Sequence, residues 1–177
     1  TSLKPKKYAQ LLYRLVNYFQ PIQILELGTS LGITTAYLAK AKPTAVVTTM
    51  EGSSTIAKIA EENFQKLGLQ NIRIVTGNFD ETLAGTLAAS TQSFNFVFID
   101  GNHRKEPTVR YFEQLLAKAD HDTVFVFDDI HWSEEMEAAW RNIKNSAAVT
   151  CSIDLFFIGI VFFRYEFKEK QHFAIRY

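Results

Sequence analysis

Apolar runs and helical repeats of apolar residues alternate along most of the chain. Residues 3–19 carry apolar side chains at the spacing of one helix face, which predicts a leading helix within residues 1–20. From residue 21 to residue 146, each run of strand-forming residues is followed by a helical repeat. The predicted strands cover residues 22–27, 45–50, 72–76, 94–99 and 123–127. The helices after them begin near residues 34, 54, 80, 104 and 133.

This regular order predicts a doubly wound α/β fold whose sheet is mostly parallel, with helices on both faces. Residues 94–99 form a nearly continuous apolar run, as expected of a parallel strand that is covered on both sides. From residue 147 the pattern changes, because two strand-like runs, 149–156 and 158–164, adjoin through a short bend and predict an antiparallel hairpin. We therefore expect a single domain over residues 1–177 with seven strands, divided into a leading helix (1–20), an alternating core (21–146) and a terminal hairpin with its tail (147–177).

Composition narrows the possible partners. A chain of 177 residues, 47% of them hydrophobic, is long enough for one substantial core. The formal net charge is +0 and no dense Lys/Arg cluster is present, so we expect a small-molecule partner and no nucleic acid. The only cysteine is Cys151, which excludes an internal disulfide and favours a cytoplasmic location. No apolar run approaches the roughly 20 residues of a membrane span, so no membrane association is predicted. The sequence begins with Thr1, which leaves a preceding segment open.

A glycine-spaced turn follows the first predicted strand, in the sequence E-L-G-T-S-L-G-I-T-T that starts at Glu26. Gly28 and Gly32 permit backbone conformations that a Cβ would forbid, and a helix begins directly afterwards. Backbone groups at such a helix start can hold a nucleotide-like ligand, and the Glu26 carboxylate suits a cation or an ammonium group. The spacing differs from the dinucleotide fingerprint, because Ser30 stands in place of its second glycine. A tight turn without any ligand is the alternative.

Four carboxylates lie at the ends of predicted strands: Glu26, Glu51, Asp100 and Asp128. Ligands of open α/β sheets bind at the carboxyl ends of the strands, so we expect these side chains to converge on one crevice. Glu51 follows Gly28 by about 23 residues, where an acidic side chain can accept hydrogen bonds from both ribose hydroxyls of a nucleoside. Alternatively, Glu51 is only a carboxylate at the start of the next helix.

The ordered set of these motifs resembles a known family. The E-L-G-T-S-L-G-I-T-T turn, the M-E-G-S that ends the second strand, the F-V-F-I-D-G-N-H of the fourth and the terminal hairpin are together similar to class I S-adenosylmethionine-dependent methyltransferases, which have a Rossmann-like fold. The resemblance spans about residues 20 to 165. Within that family the chain looks most like small-molecule O-methyltransferases of the catechol and caffeoyl-CoA type and their bacterial relatives.

The resemblance implies a site for S-adenosylmethionine. The glycine turn would lie against the methionine part of the cofactor, Glu26 would orient its amino group, and Glu51 would bind the ribose. Asn78 and Phe79 occupy the place where the adenine is held, with a plain turn and helix cap as the alternative. The residues implied in cofactor binding are Glu26, Gly28, Thr29, Ser30, Gly32, Glu51, Gly52, Asn78, Phe79 and Asp100.

The resemblance also implies a divalent cation at Asp100, Asp128 and Asp129, where three hard carboxylates would suit Mg²⁺, Mn²⁺ or Ca²⁺ better than zinc. Asp129 replaces the asparagine usual in the family, and His103 stands where catechol-type enzymes carry a catalytic lysine. Asp100 and His103 are thus the candidate catalytic residues, with His103 as the base. In the alternative, Asp129 caps the helix that begins near residue 133, and His103 is a solvated loop residue.

The next residues after the aspartate pair, His131 and Trp132, would line the acceptor pocket or serve only in packing. The predicted function is methyl transfer from S-adenosylmethionine to an oxygen of a small molecule. The fourth strand lacks the Asn/Asp-Pro-Pro-aromatic motif of amino-methylating enzymes, which argues against nucleic-acid methylation. Two alternatives remain: a non-catalytic or truncated cofactor-binding module, and a nicotinamide-dependent oxidoreductase. The phenylalanine-rich end of the chain packs in the sheet or forms the surface of a homodimer.

Overall fold

The computed structural model describes residues 6–177, which form two compact units, the first ending at Gln92 and the second running from Ser93 to Tyr177. Residues 3–5 of the predicted leading helix lie outside the described residues. None of the helices in residues 6–177 is long and apolar enough to cross a membrane. The prediction of a single domain stays a prediction.

The first unit alternates helices and strands as the sequence predicts. Its central strand, β2, pairs in parallel with β1 on one side and with β3 on the other. Four of the five residues of β1 are buried, which agrees with its apolar composition. The first helix contributes Leu12 and Val16 to the core, at the helical spacing seen in the sequence. The elements are α1 (Lys6–Phe19), β1 (Gln23–Leu27), α2 (Ile33–Ala41), β2 (Val46–Glu51), α3 (Ser54–Lys66), β3 (Ile72–Thr76) and α4 (Phe79–Ala89).

The second unit begins with the same alternation and ends in a strand-rich segment. Strands β4 and β5 pair in parallel, and every residue of both is buried. Strand β7 runs antiparallel to β5 and to β6, which confirms the predicted terminal hairpin. The elements are β4 (Phe96–Ile99), α5 (Lys105–Leu116), β5 (Val124–Asp128), α6 (Glu134–Asn145), β6 (Cys151–Asp154), β7 (Ile158–Phe162) and β8 (Gln171–Ala174).

The predicted count of seven strands is wrong, because the structure has an eighth, β8, within the tail. It pairs in parallel with β6 through backbone bonds such as Gln171 N–H to the Thr150 carbonyl, at 3.0 Å, and Ile175 N–H to the Asp154 carbonyl, at 2.8 Å. All four residues of β8 are exposed, so no alternation of apolar and polar side chains marks it in the sequence. The α/β class, the mostly parallel sheet and the antiparallel end are confirmed.

Candidate functional site

The glycine turn joins β1 to α2 through a backbone that only certain residues adopt easily. The backbone angle φ is +108° at Gly28, +47° at Ser30 and +79° at Gly32, all in the left-handed half of conformational space. The N–H groups of Gly28 and Thr29 both donate to the Met50 carbonyl of β2, at 3.0 and 3.1 Å. The turn is therefore fixed to the end of the neighbouring strand rather than left as an open loop.

Glu26 lies beneath this turn and is completely buried. Its Oε2 accepts hydrogen bonds from the hydroxyls of Thr35 and Thr49, the second at 2.6 Å. The hydroxyl oxygens of Thr49 and Thr29 are also 2.6 Å apart, so Thr29 is buried in the same network. A buried carboxylate needs such donors to offset its lost hydration. The interpretation of the sequence missed Thr35 and Thr49, and only the pairing of Glu26 with Thr49 in the sheet register would have shown the latter.

Glu51 ends β2 and connects the glycine turn to the next helix. Its Oε2 accepts the backbone N–H of Ser30 at 2.9 Å, and its Oε1 accepts the N–H of Ser53 at 3.0 Å. Ser53 is the N-cap of α3, so the helix-start role that the sequence left open for Glu51 is present. Gly52, between them, is exposed. An ionised carboxylate has about four acceptor positions, which leaves two on Glu51 for further donors.

The loop after β3 contains the residues implied in adenine binding. Asn78 is the N-cap of α4, and its Oδ1 accepts the N–H of Asp80 at 3.1 Å. Asn78 is exposed, and Phe79 is half-buried at the first position of the helix. The turn-and-cap alternative is thus observed, and the adenine contacts of both residues stay a prediction.

Gly32 lies where the glycine turn packs closely against a neighbouring side chain. A Cβ placed there would lie 2.6 Å from Cζ of the buried Phe64 ring, and the positive φ adds strain for any other residue. We expect Gly32→Ala to lower the free energy of unfolding by about 2–4 kcal/mol, measured by urea denaturation. Gly85→Ala is the matched control: it lies inside α4 with open space around it, so alanine should stabilise the chain by about 0.5–1 kcal/mol. Equal stabilities of the two variants would contradict the packing seen at Gly32.

In the second unit, Asp100, His103 and Asp128 form what we call the acid–histidine cluster. One oxygen or nitrogen ligand atom from each residue lies within 4.8 Å of those of the other two. Asp100 follows β4, and Asp128 ends β5 and is buried. His103 Nε2 lies 3.5 Å from Asp100 Oδ1, and the His103 side chain is only 30% exposed. His103 is therefore a partly exposed loop residue whose ring faces Asp100.

Asp129 does not belong to this cluster among the residues that the structure describes. Its backbone has a φ of +53°, and its carbonyl accepts the N–H of Trp132 at 3.0 Å. The proposed capping role of Asp129 is wrong, because Ser133 is the N-cap of α6 and accepts the Met136 N–H at 3.2 Å. A role of Asp129 in cation binding stays a prediction.

His131 and Trp132, at the end of this turn, differ in their surroundings. His131 lies between two carboxylates, with Nε2 2.9 Å from Asp154 Oδ2 and Nδ1 3.3 Å from Glu137 Oε1. Trp132 is 73% exposed, so it is not a core residue. Its predicted contact with the acceptor is untested, and its exposure leaves the indole accessible to a ligand.

The pKa of His103 is raised above its ordinary value of 6.5. The hydrogen bond to Asp100 is the largest cause; burial opposes it, and the negative charges of Asp100, Asp129 and Asp128 add to the increase. The folded chain holds the proton of His103 more tightly than the unfolded chain does. His103 therefore contributes its full stabilisation of the fold at pH values below its pKa in the unfolded chain. This stabilisation is lost as the pH rises through the raised pKa.

NMR titration of the His103 ring in metal-free protein checks this assignment. We expect a pKa above 6.5 in the unmodified chain and a decrease toward 6.5 in Asp100→Asn, because that change removes a negative charge and leaves a weaker, neutral hydrogen-bond acceptor. Glu106→Gln is the control, since it neutralises a largely exposed carboxylate on α5. A His103 pKa that ignores the Asp100 substitution would contradict the geometry of the cluster.

Comparison with known proteins shows the family to which the chain belongs. The family described as "Methyltransferase domain" matches residues 25–130, and the chain belongs to this family. The chain is 32% identical to a catechol O-methyltransferase of Niastella koreensis over 70% of its own length and 55% of the relative. It is 31% identical to the release factor glutamine methyltransferase of Escherichia coli over 68% of its length and 43% of the relative. The chain therefore spans about half the length of these relatives.

A solved structure shows the same fold at lower sequence identity. The O-methyltransferase TomG of Streptomyces achromogenes, determined in complex with SAM, is similar with a TM-score of 0.79 and 22% identity. The match covers 92% of this chain and 82% of TomG. The chain thus has the Rossmann-like methyltransferase fold that the resemblance of its motifs implies.

Proposed function

We propose that the chain is a methyltransferase that takes the methyl group of S-adenosylmethionine and transfers it to an oxygen of a small-molecule acceptor. The observation that carries the proposal is Glu51, which accepts the N–H of Ser30 and so holds the glycine turn beside an acceptor for ribose hydroxyls. Membership of the methyltransferase-domain family supports it, as does the similarity to TomG, which was solved with SAM. The same membership argues against the nicotinamide-dependent alternative.

The residues of the first unit fit the cofactor chemically. Glu51 keeps about two acceptor positions after bonding Ser30 and Ser53, which is the number that two ribose hydroxyls need. Glu26 supplies negative charge beneath the turn, where it favours the cofactor's ammonium group. The remaining first-unit residues proposed to bind the cofactor are Gly28, Thr29, Ser30, Gly32, Gly52, Asn78 and Phe79. Cofactor binding by Asp100, which lies in the second unit, stays a prediction.

S-adenosylmethionine supplies an activated methyl group, so the protein has to position the acceptor oxygen and remove its proton. His103 can take that proton when its ring is neutral, and the bond to Asp100 orients the ring and stabilises its protonated form. The raised pKa makes His103 a stronger base than a free histidine, while lowering the neutral fraction at pH 7.

The acid–histidine cluster also fits a divalent cation. Two carboxylates and one imidazole within 4.8 Å form a mixed oxygen and nitrogen set. Such a set extends the choice from Mg²⁺ and Mn²⁺ toward metals that accept imidazole, whereas the three carboxylates named from the sequence favour hard cations alone. A cation bound there would lower the pKa of an acceptor hydroxyl. One nitrogen of His103 cannot be a cation ligand and a base at the same time, so the two roles are separable by experiment.

The experiment is a methyl-transfer assay with labelled S-adenosylmethionine and a panel of phenols, aliphatic alcohols and a glutamine-containing peptide. We expect transfer to at least one hydroxyl acceptor and none to the peptide amide. If the cluster holds a required cation, EDTA should reduce the rate at least about tenfold and Mn²⁺ or Mg²⁺ should restore it. If the unmodified chain is fully active in EDTA and His103→Gln is inactive, His103 is instead assigned as the base.

Two other outcomes of that assay decide between candidate functions. Transfer to the peptide amide would move the proposal toward the chemistry named for the E. coli relative. Cofactor binding without transfer to any acceptor would favour the non-catalytic or truncated module. Homodimerisation and a cytoplasmic location stay predictions.

A further inference from the structure

Asp154 lies at the end of β6 and receives three donors on one carboxylate. Its Oδ2 accepts from His131 Nε2 at 2.9 Å and from Trp140 Nε1 at 3.1 Å. Its Oδ1 accepts the backbone N–H of Phe156 at 2.9 Å. The side chain is only 21% exposed, so these bonds are partly shielded from water. No motif in the sequence points to this group of hydrogen bonds, since Asp154 and His131 are 23 residues apart.

The sheet places Asp154 at the same edge as Asp128. Residue Asp128 is paired with Ile158 across β5 and β7, and Asp154 is paired with Gly159 across β7 and β6. Since β5 and β6 both run antiparallel to β7, they point the same way and end together. The carboxylate of Asp154 is therefore two strands away from the buried aspartate of the acid–histidine cluster.

His131 connects the carboxyl ends of β5 and β6. It lies three positions after Asp128, in the turn whose Asp129 has a positive φ. Aspartate adopts this conformation at a modest cost, which contacts from neighbouring residues can offset. The His131 ring is bonded to Asp154 and lies near Glu137, and it also stacks on Phe156, with ring centroids 5.4 Å apart at an interplanar angle of 23°. The turn is thus tied to the β6–β7 connection through one imidazole.

We infer that Asp154 is a positioning residue, which acts through His131 to hold the 128–132 turn and with it the Asp128 carboxylate. The inference rests on the proposed function for its consequence in cation binding and catalysis. Removing the charge of Asp154 would weaken its bond to His131, loosen the turn, and allow Asp128 to leave its place in the cluster. Residues that orient ligand-bearing groups in this way typically change metal affinity or activity by about 10- to 100-fold when they are replaced.

The ionisation of Asp154 agrees with this role. Burial acts to raise its pKa, but the bonds from His131 and the Phe156 N–H, the charge of His131 and the Trp140 bond together bring the pKa below its ordinary 3.8. Asp154 is therefore ionised throughout the neutral range and accepts bonds from all its donors.

The test compares Asp154→Asn with Ser152→Ala in the full chain. Ser152 lies on the same strand and its hydroxyl is 2.7 Å from His172 Nδ1, so the control also removes a side-chain bond to a histidine, away from His131. Amide hydrogen exchange is measured by NMR in metal-free protein. In Asp154→Asn we expect at least about tenfold faster exchange across residues 128–132, with the amides of Phe125 and Val161 in the sheet unchanged. Ser152→Ala should leave residues 128–132 unchanged.

Titration with Mn²⁺, followed by electron paramagnetic resonance, is the second readout. We expect Asp154→Asn to weaken Mn²⁺ binding at least about tenfold, while Ser152→Ala stays within about twofold of the unmodified chain. An unmodified chain that binds no Mn²⁺ would overturn the proposed cation site, and the exchange data would still decide the role of Asp154. Unchanged exchange at residues 128–132 in Asp154→Asn, or acceleration spread equally over the sheet, would overturn the positioning role.

Discussion

Replacing Glu51 with alanine is expected to lower the affinity for S-adenosylmethionine at least about 100-fold. The substitution removes the acceptor of the Ser30 and Ser53 N–H groups together with the proposed ribose acceptor. Hydrogen bonds to a charged group contribute about 1.5–3 kcal/mol each, and about 1.4 kcal/mol corresponds to a factor of ten. Isothermal titration calorimetry with the purified chain measures the change.

Two further variants make the Glu51 result specific. Glu51→Gln keeps the shape and one carbonyl acceptor, so we expect a smaller loss, about tenfold. Glu62→Gln removes a negative charge from an exposed position on α3 and should bind like the unmodified chain. If folded Glu51→Ala bound S-adenosylmethionine with an affinity within about threefold of that of the unmodified chain, the assigned ribose contact would be wrong.

Replacing Asp128 with asparagine is expected to reduce the rate of methyl transfer about 100-fold or more, with S-adenosylmethionine affinity within about threefold of the original. Asp128 is buried, and its carboxylate is one of the three groups of the acid–histidine cluster. Asparagine has nearly the same shape but no charge, so it weakens both cation binding and the electrostatic support of a protonated His103. Single-turnover methyl transfer with an acceptor found in the panel measures the rate.

The control for Asp128 is Glu134→Gln, which removes an exposed carboxylate from the first turn of α6. It should leave the rate within about twofold. Thermal unfolding of each variant separates a loss of folding from a loss of chemistry, because a folded Asp128→Asn chain that binds the cofactor has only the second defect. A folded variant with an undiminished rate would remove Asp128 from the proposed mechanism.

The sequence alone predicts most of the fold because local signals agree with the tertiary structure. The apolar period identifies the helices, and buried runs identify strands such as β4 and β5, with boundaries that differ by a few residues. Strand β8 is different, since its residues are exposed and it is defined by its pairing with β6. Such a strand carries no hydrophobic pattern from which it could be predicted.

The candidate sites also have one part that the sequence predicts and another that it does not. The glycine turn and Glu51 follow one another at recognisable spacing, and their link through the Ser30 N–H agrees with the sequence interpretation. The sequence names all three residues of the acid–histidine cluster among its candidates, but it does not show which candidates meet in space. Asp128 belongs to the cluster and Asp129 does not, while His103 joins it from another loop.

Long-range pairs are the other kind of information that the sequence lacks. Thr49 bonds to Glu26 because β1 and β2 pair in one particular register. His131 meets Asp154 only after β7 has paired with both β5 and β6. Each partner is an ordinary residue in its own segment, and its role depends on strand pairing that no local pattern encodes.

Every proposed role in the first unit depends on S-adenosylmethionine binding at the glycine turn and Glu51. Isothermal titration calorimetry of the unmodified chain with S-adenosylmethionine and, separately, with NAD measures this binding. We predict saturable binding of one S-adenosylmethionine per chain and no heat of binding with NAD. Saturable binding of NAD with no binding of S-adenosylmethionine would contradict the claim.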